Sequence, residues 1–483
     1  MSIGRLALGL LMALAASCGG RSELASSQAT SVVGSGTPEY RAGARLVPHF
    51  FLSTDADPVF DDWYDTELKV HCWFRQMTGG EWRCIPKTIA YVESTYADAA
   101  CTRRLAEQWF QSLSPDADSY LVEGTYVDCA FHYRVYRAGA DVGVAQTFTK
   151  SDAGDCAPTL VTAPIRRAVG PAVPDESFVA ASLEDQDGDP LQVRYLQAAD
   201  GAREQLDFVD RARRAVCEPF VLPDGLRCLA TPRGVLSSTF LDPECTRPIA
   251  SGEACAPPAV LTRSDPGTCS TELFAPLGQV ELAFRQTFTR SEQTCRAPSN
   301  SESDTYTFFE AGMPLAASSF PDLRVELRGQ HRIQTVHLLS AGGADRLEPL
   351  RFDARLGLPC LIQEGSDSAW RCLPVNLASP YLVSNSVTSD EISSIYSDSA
   401  CSQPLFRWDA ASCWPVPQFL THYGPVGVDL YSIGVEYSGG TFFRRDPGGL
   451  PCMPYDGAMS VDSIWYTTSR LPSLDRFVAF TRQ

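Results

Sequence analysis

The stretch "VELAFRQTF" sets Val280, Leu282, Phe284 and Phe288 on one side, with mostly polar residues between them. Successive side chains of a strand point to opposite faces, so this period of two predicts a half-buried strand. Short apolar runs of the same kind recur along the chain, separated by Asp-Gly, Gly-Gly, Pro and Ser clusters. With 34 prolines and 35 glycines breaking the pattern, long amphipathic helices find no place. The expected fold class is all-β.

The apolar runs belong to a larger repeat. Arg83-Cys84-Ile85-Pro86 returns as Arg227-Cys228-Leu229-Ala230 and as Arg371-Cys372-Leu373-Pro374, offset by 144 residues each time. Upstream, Asp65, Asp210 and Asp353 each stand seven residues before Cys72, Cys217 and Cys360. Downstream, Tyr96-x-Asp98-x-x-Cys101 matches Phe240-x-Asp242-x-x-Cys245 and Tyr396-x-Asp398-x-x-Cys401. The third copy carries additional polar residues before Cys401, which read as a surface loop. A later element repeats as "TFTKSDAGDCAP" (147–158), "TFTRSEQTCRAP" (287–298) and "TFFRRDPGGLPCMP" (441–454). After it comes a segment rich in Pro and Phe, with a fourth relative, "EYRAGARLVPHFFL", opening at residue 39.

Three modules follow, at 39–190, 191–330 and 331–483. Each splits into halves of about 70 residues with room for four short strands, so six halves predict a six-bladed β-propeller. Three tandem sandwich- or barrel-like domains are the alternative. The fourth copy of the bracketing segment is awkward for a simple ring, which needs three.

Seventeen cysteines change the picture of the compartment. "MSIGRLALGLLMALAASC" has Arg5, an apolar run from Leu6 to Ala16 and small residues before Cys18. The run is too short to span a bilayer and reads as a signal peptide over 1–17. Its end resembles the lipobox of bacterial lipoproteins, with the usual leucine one place early; the resemblance implies lipidation of Cys18 and, with Gly19 behind it, an outer-membrane address. Ordinary cleavage and release is the alternative. Residues 18–38 are small and polar, as in a flexible tether.

Setting Cys18 aside leaves an even number, and export favours disulfides over free thiols. In the second module, local pairing gives Cys217-Cys228, Cys245-Cys255 and Cys269-Cys295. Matching positions give Cys72-Cys84 and Cys129-Cys156 in the first, and Cys360-Cys372 and Cys401-Cys413 in the third. Cys101 and Cys452 remain, and their pairing would clasp the first module to the last. Reshuffled local partners are the competing expectation. Zinc-type Cys/His spacings are missing, His71 beside Cys72 being the nearest approach, so neither metal nor cofactor is expected.

A formal charge of −18 argues against nucleic acid or an anionic lipid surface as partner. "EDQDGDP" gathers Asp185, Asp187 and Asp189 in an oxygen-rich turn, a weak calcium candidate; Pro190 and Leu196 stand where a calcium loop needs glycine and glutamate. A solvated turn is the plainer reading. The recurring Asp65/Asp210/Asp353 and Arg83/Arg227/Arg371 suggest one structural ion pair per module, since a catalytic pair is normally grafted once onto a fold. No nucleophile elbow occurs, and no catalytic residue is assigned. Trp63, Trp73, Trp82, Trp109 and Trp370 pack the core or form a stacking surface for sugars.

The signature of Asp, Leu-Gly-x-x-Cys, Arg-Cys-Leu-Pro and Tyr-x-Asp-x-x-Cys resembles that of uncharacterised cysteine-rich repeat lipoproteins of large-genome Gram-negative bacteria. It is best kept in "FDARLGLPC" and "WRCLPV" of the third module. The resemblance implies an extracytoplasmic protein held to the membrane through its N-terminal lipid only, and carries no activity. The expected function is a non-enzymatic surface lipoprotein whose repeat scaffold binds a protein or glycan ligand or supports the envelope; a propeller-type carbohydrate hydrolase is the rival, marked by a cluster of carboxylates present in one module alone.

Overall fold

The computed structural model describes residues 37–482 apart from 89–90, 109–118, 144–145, 152–153, 160–164, 266–269, 292–293, 298–304, 375–394, 410–415, 417, 425–426, 440, 445–451 and 456–462. Cys18, Trp109, Cys269, Cys413 and the polar insertion before Cys401 lie outside the described residues or largely so. The described chain is all-β, its helical elements being the short 3-10 turns Asp175–Ser177, Phe284–Gln286 and Ala317–Ser319. No described helix is long and apolar enough to cross a membrane.

One 16-stranded sheet forms the centre. It contains three four-stranded meanders. The first is Leu46–Ser53, Ala56–Asp65, Val70–Gln76 and Trp82–Pro86; the second Leu191–Ala198, Arg203–Asp210, Ala215–Leu222 and Gly225–Ala230; the third Ile333–Ser340, Asp345–Asp353, Leu358–Glu364 and Trp370–Pro374. A fifth strand joins each meander to another. Ala180–Gln186 pairs with the first strand of the second meander and with Arg83 of the first. Leu323–Arg328 pairs with the third meander, and next to it Asp322 bridges Arg227 while Cys228 N–H donates to Pro321 O. The C-terminal Ala479–Arg482 pairs with Arg371 and with Phe51. The path of pairings therefore returns on itself.

This arrangement explains the fourth bracketing copy. The N-terminal copy contributes the first meander strand, and the C-terminal copy contributes the joining strand beside it. The two ends of the chain together complete one five-stranded group.

Apolar burial follows the same cycle. Leu46 and Trp63 pack with Val179 and Leu196; Leu191 and Phe208 pack with Leu323, Val336 and Leu338; Ile333 packs with Phe51, Val59, Val478 and Phe480. Each cluster spans two meanders and encloses one bridge, Cys72–Cys84, Cys217–Cys228 or Cys360–Cys372. Full burial of one such side chain stabilises by about 1.5–3 kcal/mol, so the contacts between meanders hold the sheet together.

Smaller barrels hang from this sheet. In the first, Tyr91–Tyr96, Arg104–Gln108, Ile165–Ala172, Ala130–Asp141 and Tyr120–Val127 pair in that order, and Tyr91 meets Val122 to close the circuit. Arg233–Phe240, Pro248–Ser251, Thr305–Leu315, Ser270–Ala283 and Val260–Asp265 repeat this order. The described part of the third region forms sheets of four and three strands. One long sheet with appended barrels thus stands where six separate four-stranded blades were expected. In the expected strand around Val280, alternation holds through Leu282, after which the 3-10 turn at Phe284 interrupts it and Phe288 opens a new strand.

Outside the meanders the disulfides depart from the expected pairing. The bridges are Cys101–Cys156, Cys245–Cys295, Cys401–Cys452 and Cys129–Cys255. They replace the expected Cys129-Cys156, Cys245-Cys255, Cys269-Cys295 and Cys401-Cys413 pairs, as well as the Cys101-Cys452 clasp. The cause is a hairpin. Thr147–Lys150 pairs with both Cys156–Thr159 and Tyr91–Tyr96, which carries Cys156 onto the turn holding Cys101. The bridged Sγ atoms of Cys156, Cys295 and Cys452 lie 3.6–3.8 Å from the carbonyl oxygens of Asp98, Asp242 and Asp398.

Candidate functional site

The recurring acids come first, because they are the residues a repeat brings to notice. Asp65, Asp210 and Asp353 are almost fully buried. Each accepts two backbone N–H bonds from the turn after it: Glu67 and Leu68, Ala212 and Arg213, Arg355 and Leu356. Each also holds a guanidinium, from Arg45, Arg213 or Arg332, at 2.7 Å. That guanidinium donates in turn to the carbonyl of Ser177, Ser319 or Arg476, next to a joining strand. The expected pairing with Arg83, Arg227 and Arg371 is corrected. These arginines bind Glu81, Asp224 with Asp322, and Asp367 with Asp475, because their strand lies two places away in the meander.

Asp98, Asp242 and Asp398 have a like task. Each accepts N–H bonds from the residues four and five places on, and a hydroxyl from Thr102, Thr246 or Ser402. The turn puts Cys101, Cys245 and Cys401 at φ near +50°, which the bridge and the aspartate hold. The Ser402 hydroxyl first, then the Gln403 and Ser402 N–H groups, keep the Asp398 carboxyl below its ordinary range.

One polar cluster occurs in a single meander. His49 and Asp62 face each other on neighbouring strands, and His71 follows on the next. Their donor atoms lie within 4.8 Å of one another. A β-bulge opposite His49 and Phe50 inserts Asp61 and aims both acids the same way. Lys87 Nζ sits 3.1 Å from Asp61 and 2.8 Å from Asp62 Oδ2; Arg482 Nη2 sits 2.7 Å from Asp62 Oδ2. His71 Nδ1 is 2.8 Å from Asp62 Oδ1. Burial alone would raise the Asp62 carboxyl; the His71 bond, Lys87 and Arg482 outweigh it and hold the group below the carboxylate range. Burial, then the neighbouring His71, pushes His49 down. Counting from Leu46, Leu191 and Ile333, the counterparts of His49 are Arg194 and Val336; those of His71, the residue before Cys72, are Val216 and Pro359 before Cys217 and Cys360.

Two other carboxyls are pushed upward by burial. Burial raises Glu204 to about 6, partly offset by the Trp63 indole N–H that donates to it at 2.7 Å. Burial and Asp367 raise Glu364 to about 7, and Asp367 is itself bound to Arg371. A cavity of about 480 Å³ lies in the third region, lined by Tyr396, Ser402, Gln403, His422, Tyr431 and Arg470 among others, with no carboxylate among its described lining residues. Arg470 is held by Asp429 at 2.6 Å.

A family model matches residues 60–442. The chain belongs to DUF7481, a family of unknown function. No curated protein and no solved structure matches it. In this DUF7481 protein the calcium candidate does not assemble: Asp185 is bound by both arms of Arg194, and Asp187 and Asp189 join it in no ligand-sized cluster among the described residues. Trp63 is buried, and Trp73, Trp82 and Trp370 are half-buried. The His49–Asp62–His71 group escaped sequence reasoning apart from the note on His71, since two of its members lie 9 and 13 positions from the third; the signal available was a histidine at each of two positions that the other meanders fill differently.

Proposed function

We propose that this DUF7481 protein is a non-enzymatic, lipid-anchored envelope protein whose three tandem units close a disulfide-stabilised scaffold for binding a neutral polar ligand of the glycan type. The cavity in the third region carries the reading. Tyr396 and Tyr431 put aromatic side chains in its wall, beside the hydrogen-bonding groups of Ser402, Gln403 and His422. Such a wall suits binding, and it lacks the acid pair that glycoside hydrolysis needs. The seven bridges among the described residues fit an oxidising, extracytoplasmic setting. Cys18 is the anchor in this reading, with the outer membrane as its address.

The test has two arms on the same protein. Expressed with its leader, the wild type partitions with membranes and Cys18→Ser with the soluble extracytoplasmic fraction. A glycan array probed with the soluble form gives binding that Tyr431→Ala abolishes without loss of fold, and no array glycan is cleaved. Soluble wild type, or turnover of a bound glycan, overturns the respective half.

A further inference from the structure

The His49–Asp62–His71 group has no counterpart in the other two meanders, although the strands and bulge that carry it recur. Ring closure accounts for Asp62, which Lys87 and Arg482 hold, but not for the two histidines beside it. Two imidazoles and a carboxylate set back from solvent are not what a solvated surface gathers by chance: Asp62 is 3% exposed, and His49 and His71 are half-buried. His49 Nδ1 is buried and has no hydrogen-bond partner among the described residues. A buried polar nitrogen left unmet is destabilising, and a ligand at this point would satisfy it.

We propose that His49, Asp62 and His71 form a binding site for a divalent d-block ion of the zinc type, with one donor from each residue and an open fourth position. Two imidazoles and one carboxylate on three adjacent strands match the ligand set such ions take. The surroundings narrow the class. Lys87 and Arg482 both engage Asp62 Oδ2 and Asp61, so the local carboxylate charge is already neutralised. A hard ion such as Ca²⁺ or Mg²⁺, bound through carboxylate charge, gains little there. An ion held by imidazole nitrogen depends on that charge less. The same two cations fix the Asp62 oxygen they touch and leave Oδ1, now shared with His71, as the donor. Both imidazoles must be neutral to bind, so ion binding is coupled to pH.

The test uses the full mature protein with bridges intact, stripped with a chelator and titrated with ZnCl₂ by calorimetry. One ion binds per chain, and His49→Gln and His71→Gln each weaken binding at least about tenfold, the lower bound for loss even of a supporting group at a metal site. His331→Gln, at an exposed histidine outside the cluster, leaves it unchanged. CaCl₂ gives no heat of binding at this site. As a check independent of any variant, Co²⁺ added to the wild type develops the visible bands of a low-symmetry nitrogen and oxygen site, and ZnCl₂ bleaches them. Absence of stoichiometric binding, equal loss in His331→Gln, or no cobalt spectrum overturns the proposal.

Discussion

Arg482 Nη2 lies 2.7 Å from Asp62 Oδ2, joining the last described residue to a carboxylate 420 positions earlier. The bond stands where the C-terminal strand meets the first meander, with Phe51 opposite Arg482. The chain's ends are thereby made into neighbours by a charge pair as well as by strand pairing. The same pair borders the only histidine-rich cluster among the described ring strands, so closure of the sheet and shape of that cluster depend on each other.

Arg482→Ala should therefore act as a closure mutation. It removes a charge-assisted bond to a nearly buried acid, worth about 1.5–3 kcal/mol, while Lys87 still partners the carboxylate. Urea unfolding should show an unfolding free energy lowered by that amount, with a lower midpoint, an unchanged m-value and unchanged fluorescence of the native baseline. A midpoint within error of wild type would mean that strand pairing alone closes the sheet.

The three buried aspartates should respond alike. Asp65→Asn, Asp210→Asn and Asp353→Asn each leave a guanidinium and a joining-strand carbonyl without their shared anchor, and each should cost about 3–5 kcal/mol. Exposed Asp187→Asn should change stability by less than about 0.5 kcal/mol. Three like losses mark a structural corner; one variant that keeps its stability yet loses ligand binding would single that acid out for function.

Much of this was legible in the chain. The Arg-Cys steps marked the last strand of each meander, and the Tyr-x-Asp-x-x-Cys steps marked turns whose aspartate binds the backbone ahead of it. Strand character showed in short alternating runs because a sheet with one covered face sorts side chains by parity. Partner choice did not show. Cys101 and Cys156 are 55 positions apart, and only the pairing of Phe148 with Tyr96 brings them together. Asp65 finds Arg45 rather than Arg83 for a like reason: the register of antiparallel strands decides it, and spacing in the chain carries no record of register.

Stability should also report Glu204. Its carboxyl titrates at about 6 in the fold against an ordinary 4.5, because burial disfavours the charge. Between those values the folded chain holds a proton that the unfolded chain has released. Stability from this group is therefore full below pH about 4.5, falls as pH rises through 6 and is level above, by at most about 2 kcal/mol. Glu204→Gln keeps an acceptor for the Trp63 indole and removes the charge. The variant should gain on wild type by about 1–2 kcal/mol between pH 4 and pH 7.5 in denaturant melts. Parallel curves would place the charged form in contact with water.

Peptide mapping of the non-reduced protein gives the sharpest check on the architecture. Cys129 stands between Tyr120–Val127 and Ala130–Asp141 of the first barrel, and it reaches Cys255, which follows Pro248–Ser251 of the second. On the chain-entropy account, a loop of 126 residues makes this bridge worth about 4–5 kcal/mol. Cys269 and Cys413 lie outside the described residues, yet chain order makes them the counterparts of this pair. Cys269 falls between Val260–Asp265 and Ser270–Ala283 of the second barrel, and Cys413 follows Leu405–Asp409 of the third region. The first barrel has no cysteine at the receiving position and the third none at the giving one, so chain order predicts one link from first to second and one from second to third. Mapping should find Cys129–Cys255 and Cys269–Cys413 as two crosslinks between units, beside six bridges within them. Recovery of Cys269 and Cys413 as alkylated free thiols would break the correspondence between the barrels, whereas their linkage would tie all three units into one covalent string outside the ring.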